Sequence, residues 1–196
     1  MHPDVSEILV TKDQILTRVK ELGTEISGDY KEKKLLIVSI LKGSFIFISD
    51  LSRAISLDVG IDFMVVKSYI ETDSTGVVRI LHDTSIDMQG LDVLIVDDIL
   101  DSGRTLSYVM SVLRGCKPKS IELCVLLDKP SRRVVDVGAR YTGFAIPDVF
   151  VVGYGLDYCE KYRNLPYVGT LKPEIYKSGG RTGFTTKASI FSTEKE

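Results

Sequence analysis

No run of apolar residues in this chain approaches the roughly 20 that a membrane helix needs. The N-terminus, Met1-His2-Pro3-Asp4-Val5, lacks the basic region and the apolar stretch of a signal peptide. The expected setting is the cytoplasm, with no membrane partner. Basic residues are not in excess either. Lys plus Arg is 25 against 27 Asp plus Glu, a net charge of −2. A generic nucleic-acid binder normally carries a basic surplus, so no nucleic-acid partner is expected and any anionic ligand must be held locally. Cysteine is scarce. Cys116, Cys124 and Cys159 form no metal-ligand spacing, and their number is odd. Reduced thiols are expected, two of them in apolar surroundings.

What is present suits a soluble globular chain. Its 196 residues are 44% apolar and 27% charged, enough to bury a core without disulfides or a structural metal. There is no internal repeat, and no composition break marks a second domain. A single domain over 1–176 is expected. The stretch 177–196, rich in Ser, Thr, Gly and Lys, is expected to be a weakly ordered tail.

Thr11-Lys12-Asp13-Gln14 has the capping-box pattern. Ile15, Leu16, Val19, Leu22 and Ile26 follow at helical spacing, which predicts an amphipathic helix. The apolar run Leu35 to Ile40 predicts a buried strand, and Gly43-Ser44 opens a helix through Ile55. Val59 to Tyr69 predicts a strand, the polar stretch Ile70 to Thr75 a loop, and Val77 to Leu81 a β-arm. Asp92 to Ile99 is the most apolar strand. Ser102 to Arg114 is helical, with Leu106, Val109, Met110 and Leu113 on one face. Ile121 to Leu127 and Val149 to Tyr154 complete the buried strands. Strands alternating with helices imply βαβ units, hence a mostly parallel α/β sheet covered on both faces.

The chemistry concentrates at the end of the third predicted strand, in Val93-Leu94-Ile95-Val96-Asp97-Asp98-Ile99-Leu100-Asp101-Ser102-Gly103-Arg104-Thr105. Ligands of open α/β sheets bind beyond the carboxyl ends of strands. Gly103 permits close approach of the backbone, Ser102 and Thr105 offer hydroxyls, and a helix N-terminus favours phosphate. Two carboxylates would repel an anion, unless they accept from sugar hydroxyls or help to hold a divalent cation. Phosphate, ribose and metal together fit the segment. On these residues alone, a strand, an acidic turn and a Ser-capped helix fit it equally well.

Four apolar residues, two acidic, two apolar, then Asp-Ser-Gly-x-Thr resembles the phosphoribosyl pyrophosphate signature of the type I phosphoribosyltransferases. Leu41-Lys42-Gly43, Leu126-Leu127-Asp128-Lys129-Pro130-Ser131-Arg132-Arg133 and Ile146 to Tyr158, with Tyr162-Arg163-Asn164-Leu165-Pro166 after it, are similar to the hypoxanthine(-guanine) branch of the bacterial type. The resemblance runs from about Val5 to about Leu171. It implies that family's fold: a mostly parallel twisted sheet flanked by helices, with a mobile lid loop and a small hood. It also implies purine salvage with Mg²⁺ as cofactor, hypoxanthine, guanine and phosphoribosyl pyrophosphate as small-molecule partners, and a homodimer or homotetramer.

The resemblance also assigns residues. Asp101 matches the carboxylate that takes the N7 proton of the purine, a role open to a group ionised at pH 7; its plainer role would be a helix N-cap. Asp97 and Asp98 match the acidic pair on the ribose hydroxyls and Mg²⁺. The family usually carries Glu where Asp97 stands, one methylene longer. Ser102, Gly103, Arg104 and Thr105 match the 5′-phosphate loop, with Leu106 counted beside them; the Arg104 side chain reads as solvated. Lys129 matches the donor to purine O6, which selects 6-oxopurines; a strand-end lysine is more commonly exposed. Phe150 matches the residue stacking on the base and Val151 the one whose backbone reads the purine edge. Asp157 matches a further Mg²⁺ residue. Arg163, Lys42 and Gly43 match the pyrophosphate contacts, and a non-proline cis peptide is implied in the Lys42 loop. Ser68 and Tyr69 match the start of the lid. Two rivals stand beside this reading: an RNA-binding regulator of the same fold, and an enzyme of the same fold using xanthine or a pyrimidine.

Overall fold

The computed structural model describes residues 1–69 and 77–177. Nine strands and four helices follow in the order β1 (Val5–Val10), α1 (Lys12–Asp29), β2 (Leu35–Leu41), α2 (Phe45–Ala54), β3 (Gly60–Tyr69), β4 (Val77–His82), β5 (Asp92–Leu100), α3 (Arg104–Gly115), β6 (Ser120–Asp128), β7 (Tyr141–Ala145), β8 (Val151–Val152), β9 (Val168–Leu171) and α4 (Pro173–Lys177). A short 3₁₀ turn, Pro130–Arg132, follows β6.

The main sheet has the order β4-β3-β2-β5-β6-β7. Its pairs from β3 to β7 are parallel; only β4, at the edge, runs antiparallel to β3. Alternation along the three central strands shows why the sequence reads as unbroken apolar runs. Leu35, Ile37, Leu94, Val96, Cys124 and Leu126 face one core, with Ile15, Val19, Leu22 and Ile26 of α1 and Phe47, Ile48 and Leu51 of α2. Leu36, Val38, Ile40, Val93, Ile95, Leu123 and Val125 face the other, with Leu106, Val109 and Leu113 of α3. Both faces of these strands are buried, as parallel sheets require.

The α1 capping box forms as expected, with the Gln14 backbone N–H donating to the Thr11 hydroxyl and the Thr11 backbone N–H to the Gln14 side chain. Leu16, expected on the apolar face, is exposed instead. Val149 to Tyr154 was expected as one buried strand. Only Val151 and Val152 are extended, and they lie in a second, antiparallel sheet of order β1-β9-β8. The chain leaves β8 through Gly153, Tyr154 and Gly155, whose φ values of 99°, 48° and 105° end a strand at once. The small sheet stands where a hood was expected. All three cysteines are free, but only Cys124 is buried; Cys116 and Cys159 are exposed.

Ile70 to Thr75, expected as the loop of a lid, and the tail from 178 onward lie outside the described residues. Among the described residues no helix is long and apolar enough to cross a membrane.

Candidate active site

Parallel register brings the carboxyl ends of β2, β5 and β6 to one edge. Leu100 pairs with Asp128, and the Lys129 N–H donates to the Leu100 carbonyl at 3.0 Å. Asp101 and Lys129 therefore leave neighbouring strands side by side. The loop after β2 reaches the same place. A Cβ on Gly43 would fall 1.7 Å from Asp98 Oδ2, so the Gly43 backbone lies against that carboxylate.

Asp97 and Asp98 form a tight acidic pair, the Asp97 carboxylate accepting the Asp98 N–H at 3.0 Å. Burial pushes the Asp97 carboxyl well above its usual range, and the Asp98 charge adds to the effect. Burial raises Asp98 too, against hydrogen bonds and the Arg163 charge. Such a pair favours a proton or a cation.

The following loop is braced from outside. The Ser102 carbonyl accepts from Val134 N (2.9 Å) and Val135 N (3.1 Å), and the Asp101 carbonyl from Arg133 Nη1 (2.6 Å). Arg133 also pairs with Asp128. Gly103 has φ 84°, and a Cβ there would sit 3.0 Å from the Val135 carbonyl. No side chain caps α3. The Ser-capped alternative is thus not realised: among the described residues the Ser102 hydroxyl meets only Arg104 N, at 3.4 Å. Asp101 does not cap α3 either; Arg132 Nε donates to its carboxylate at 2.9 Å, and Arg132 Nη1 lies 3.6 Å from Asp148. The free N–H groups of a 12-residue helix are a ready anion site. Thr105 is half-buried there, Arg104 is exposed as expected, and Leu106 turns its side chain into the core, leaving only its backbone for a ligand.

Lys129 is only 7% exposed, and its ammonium makes no hydrogen bond or ion pair with another described residue. The exposed strand-end lysine that its residue type suggests is not what the fold builds: the side chain packs, and its ammonium end reaches solvent. Phe150 is 45% exposed, whereas Val151 is buried and pairs with Thr170 of β9. Tyr158 meets the Phe150 ring edge-on (5.7 Å between centroids) and Tyr176 lies tilted beside it (6.0 Å, 35°).

On the far side, the Leu41–Lys42 peptide bond is cis, as the resemblance implied. Lys42 Nζ and Arg163 Nη2 both donate to the Glu160 carboxylate, each at 3.0 Å. Those two bonds hold the Glu160 carboxyl below its usual range. Arg163 also reaches Asp157 Oδ1 (2.8 Å) and the Gly155 carbonyl (2.8 Å). Leu41, Lys42, Phe45, Glu160 and Arg163 line a cavity of about 400 Å³. Sequence reasoning did not single out Glu160 or assign roles to Arg132 and Arg133. Glu160 had a signal, standing three residues from both Asp157 and Arg163. Ser68 and Tyr69 end β3, with the stretch 70–76 beyond them outside the described residues.

No cluster of three metal-ligating side chains exists among the described residues. Mg²⁺ does not need one. It binds through one or two carboxylates and substrate phosphates and keeps several waters. The pair of buried Asp97 and half-buried Asp98 suits that mode. Asp157 suits it less directly, because its oxygens already accept from Arg163 and from Glu160 N at 2.8 Å.

The family described as the phosphoribosyl transferase domain matches residues 6–159. The hypoxanthine-guanine phosphoribosyltransferase of Staphylococcus aureus is 51% identical over 179 residues, covering 91% of this chain and all of that protein. The crystal structure of a hypoxanthine phosphoribosyltransferase from Staphylococcus aureus superposes with a TM-score of 0.87, over 90% of this chain and 96% of that one. The hypoxanthine phosphoribosyl transferase of Trypanosoma cruzi, 40% identical, also gives 0.87, over 91% and 97%.

Proposed function

This chain belongs to the phosphoribosyltransferase family, and from that membership we propose a purine salvage activity. It transfers the phosphoribosyl group of 5-phosphoribosyl 1-pyrophosphate to hypoxanthine or guanine, releasing IMP or GMP and pyrophosphate. The observation that carries the choice of base is Lys129. Its side chain is nearly buried, while its ammonium reaches solvent and has no partner among the described residues. An ammonium held at the site with no protein acceptor beside it can donate to a purine O6, which accepts where the 6-amino group of adenine does not.

The reaction then distributes over the site as follows. The 5′-phosphate sits on the uncapped N-terminus of α3, within the Ser102–Thr105 loop. Asp97 and Asp98 accept from the ribose hydroxyls. Phe150 stacks on the base, and the Val151 backbone reads its edge. N9 bonds to C1 of the ribose as the C1–oxygen bond to pyrophosphate breaks, and Asp101 takes the proton from N7. Arg163 and the Lys42–Gly43 loop stabilise the charge that departs. To reach it, Lys42 and Arg163 must share or exchange their bonds to Glu160. Mg²⁺, when bound, neutralises negative charge on the pyrophosphate and the acidic pair; Asp97, Asp98 and Asp157 would hold it, Asp97 through water because its side chain is short. A lid beginning at Ser68 and Tyr69 would exclude water from the ribosyl centre. The exposed thiols of Cys116 and Cys159 favour a cytoplasmic setting. Exposed Phe45, Phe63 and Leu81 offer apolar surface for a homodimer or homotetramer.

The test is a base panel. Purified protein with Mg²⁺ and phosphoribosyl pyrophosphate should turn over hypoxanthine or guanine with a higher kcat/KM than xanthine or adenine. No IMP from hypoxanthine and no GMP from guanine would sink the assignment.

A further inference from the structure

Phe150 stands just before β8 with nearly half its surface open. An aromatic ring so exposed would ordinarily sample several orientations. Two other rings restrict it. Tyr158 meets it edge-on, at 84° between planes. Tyr176 lies beside it at 35°. Tyr176 comes from α4, far along the chain, and α4 is firmly placed. It follows β9, Lys172 N donates to the Asp4 carbonyl at 2.9 Å, and Ile175 N donates to the Lys172 carbonyl at 2.9 Å. Ile175 and Tyr176 pack on the cluster of Val5, Val152 and Leu171, which also fixes the strand that leads away from Phe150. The Tyr176 hydroxyl makes no hydrogen bond with another described residue, so its contact is that of the ring.

We propose that Tyr176 is a positioning residue of the base site: its ring holds Phe150 in the plane that receives the purine, which makes α4 a structural wall of that site. The inference rests on Phe150 being the stacking residue. Stacking depends on relative orientation, and a ring held in its binding orientation loses less freedom when the base arrives. Tyr158 bounds Phe150 through a T-shaped contact, 84° between planes. Tyr176 supplies the tilted ring contact, 35° between planes, that sets its orientation.

The experiment is a double-mutant cycle on the full chain with Mg²⁺, reading the two KM values separately. Tyr176→Ala should raise KM for hypoxanthine roughly two- to tenfold, the range of an aromatic pair, while KM for phosphoribosyl pyrophosphate stays put. Tyr176→Phe, which keeps the ring, should recover the base KM. Tyr176→Ala added to Phe150→Ala should cause no further loss. Equal rises in both KM values for Tyr176→Ala would mean general loosening of the small sheet and overturn the proposal. So would a loss in Tyr176→Phe. If Phe150→Ala raises the base KM and Tyr176→Ala does not, stacking stands and the positioning role is wrong. If neither variant moves it, stacking is wrong and the positioning role falls with it.

Discussion

Gly43→Ala adds one methyl group, and its fate follows from distances. On the observed backbone the new Cβ would sit 1.7 Å from Asp98 Oδ2 and 2.5 Å from its Cγ. Ordinary contact begins near 3.4 Å, so one partner must retreat by about 1.5 Å or more. Gly43 is not in the left-handed region, so the effect is one of space and not of backbone strain. The loop has little room to give way. A Cβ on Gly155 would fall 2.0 Å from the Gly43 carbonyl, so those two backbones already touch, and the Ser44 hydroxyl is tied to the Ile40 carbonyl and to Ser39. Asp98 must therefore swing away, and with it the group proposed to hold the ribose. Misplacing a positioning group by about 1 Å costs on the order of 10²-fold in rate, and forcing a methyl into a packed site costs about 1–3 kcal/mol of stability. Gly28→Ala is the control. It lies in α1 with nothing within 4 Å of its Cβ, so it should gain about 0.5–1 kcal/mol and keep its activity. The assay is kcat/KM for phosphoribosyl pyrophosphate with hypoxanthine, beside a thermal melt of each variant. A folded Gly43→Ala protein within about threefold of the parent in kcat/KM would refute the close contact and the role of Asp98 together.

Lys129→Ala should raise KM for hypoxanthine about 10–100-fold, the worth of a hydrogen bond to a charged donor, and leave KM for phosphoribosyl pyrophosphate nearly unchanged; equal losses for both substrates would argue against the O6 contact. Asp101→Asn should fold normally and lose about 10²–10⁴-fold in kcat, so unchanged turnover would remove it as the proton acceptor. Asp62 makes a pH prediction. Burial pushes its carboxyl up, but the N–H groups of Phe63, Ser85 and Ile86 and the Ser85 hydroxyl outweigh that and hold it below the usual range. A depressed carboxyl contributes stability that is complete above its unfolded pKa and is lost as pH falls through the folded one. Asp62→Asn should therefore lower the denaturation midpoint at neutral pH and flatten its decline below about pH 4; a parallel acid decline in both proteins would show that Asp62 contributes nothing to it.

How much of this the sequence discloses depends on how far each feature relies on distant partners. The central strands β2, β5 and β6 are legible because burial on both faces forces unbroken apolar runs, and α1 because its capping box closes within four residues. The small sheet is not legible. Its strands are two to six residues long, and β1 pairs with β9 through two register shifts, so no clean alternation survives. The same division runs through the site. The loop after β5 announces itself because its glycine, hydroxyls and carboxylates are contiguous. Glu160 does not, because its meaning lies in Lys42, 118 residues away. Lys129 is the sharpest case. Its residue type argues for full exposure, and the meeting of β6 with the end of β5 packs most of its side chain away. Beside Asp101, with its ammonium unpaired among the described residues, Lys129 stands as a donor for something that arrives from outside, and the proposed choice of base rests on it more than on the acidic pair.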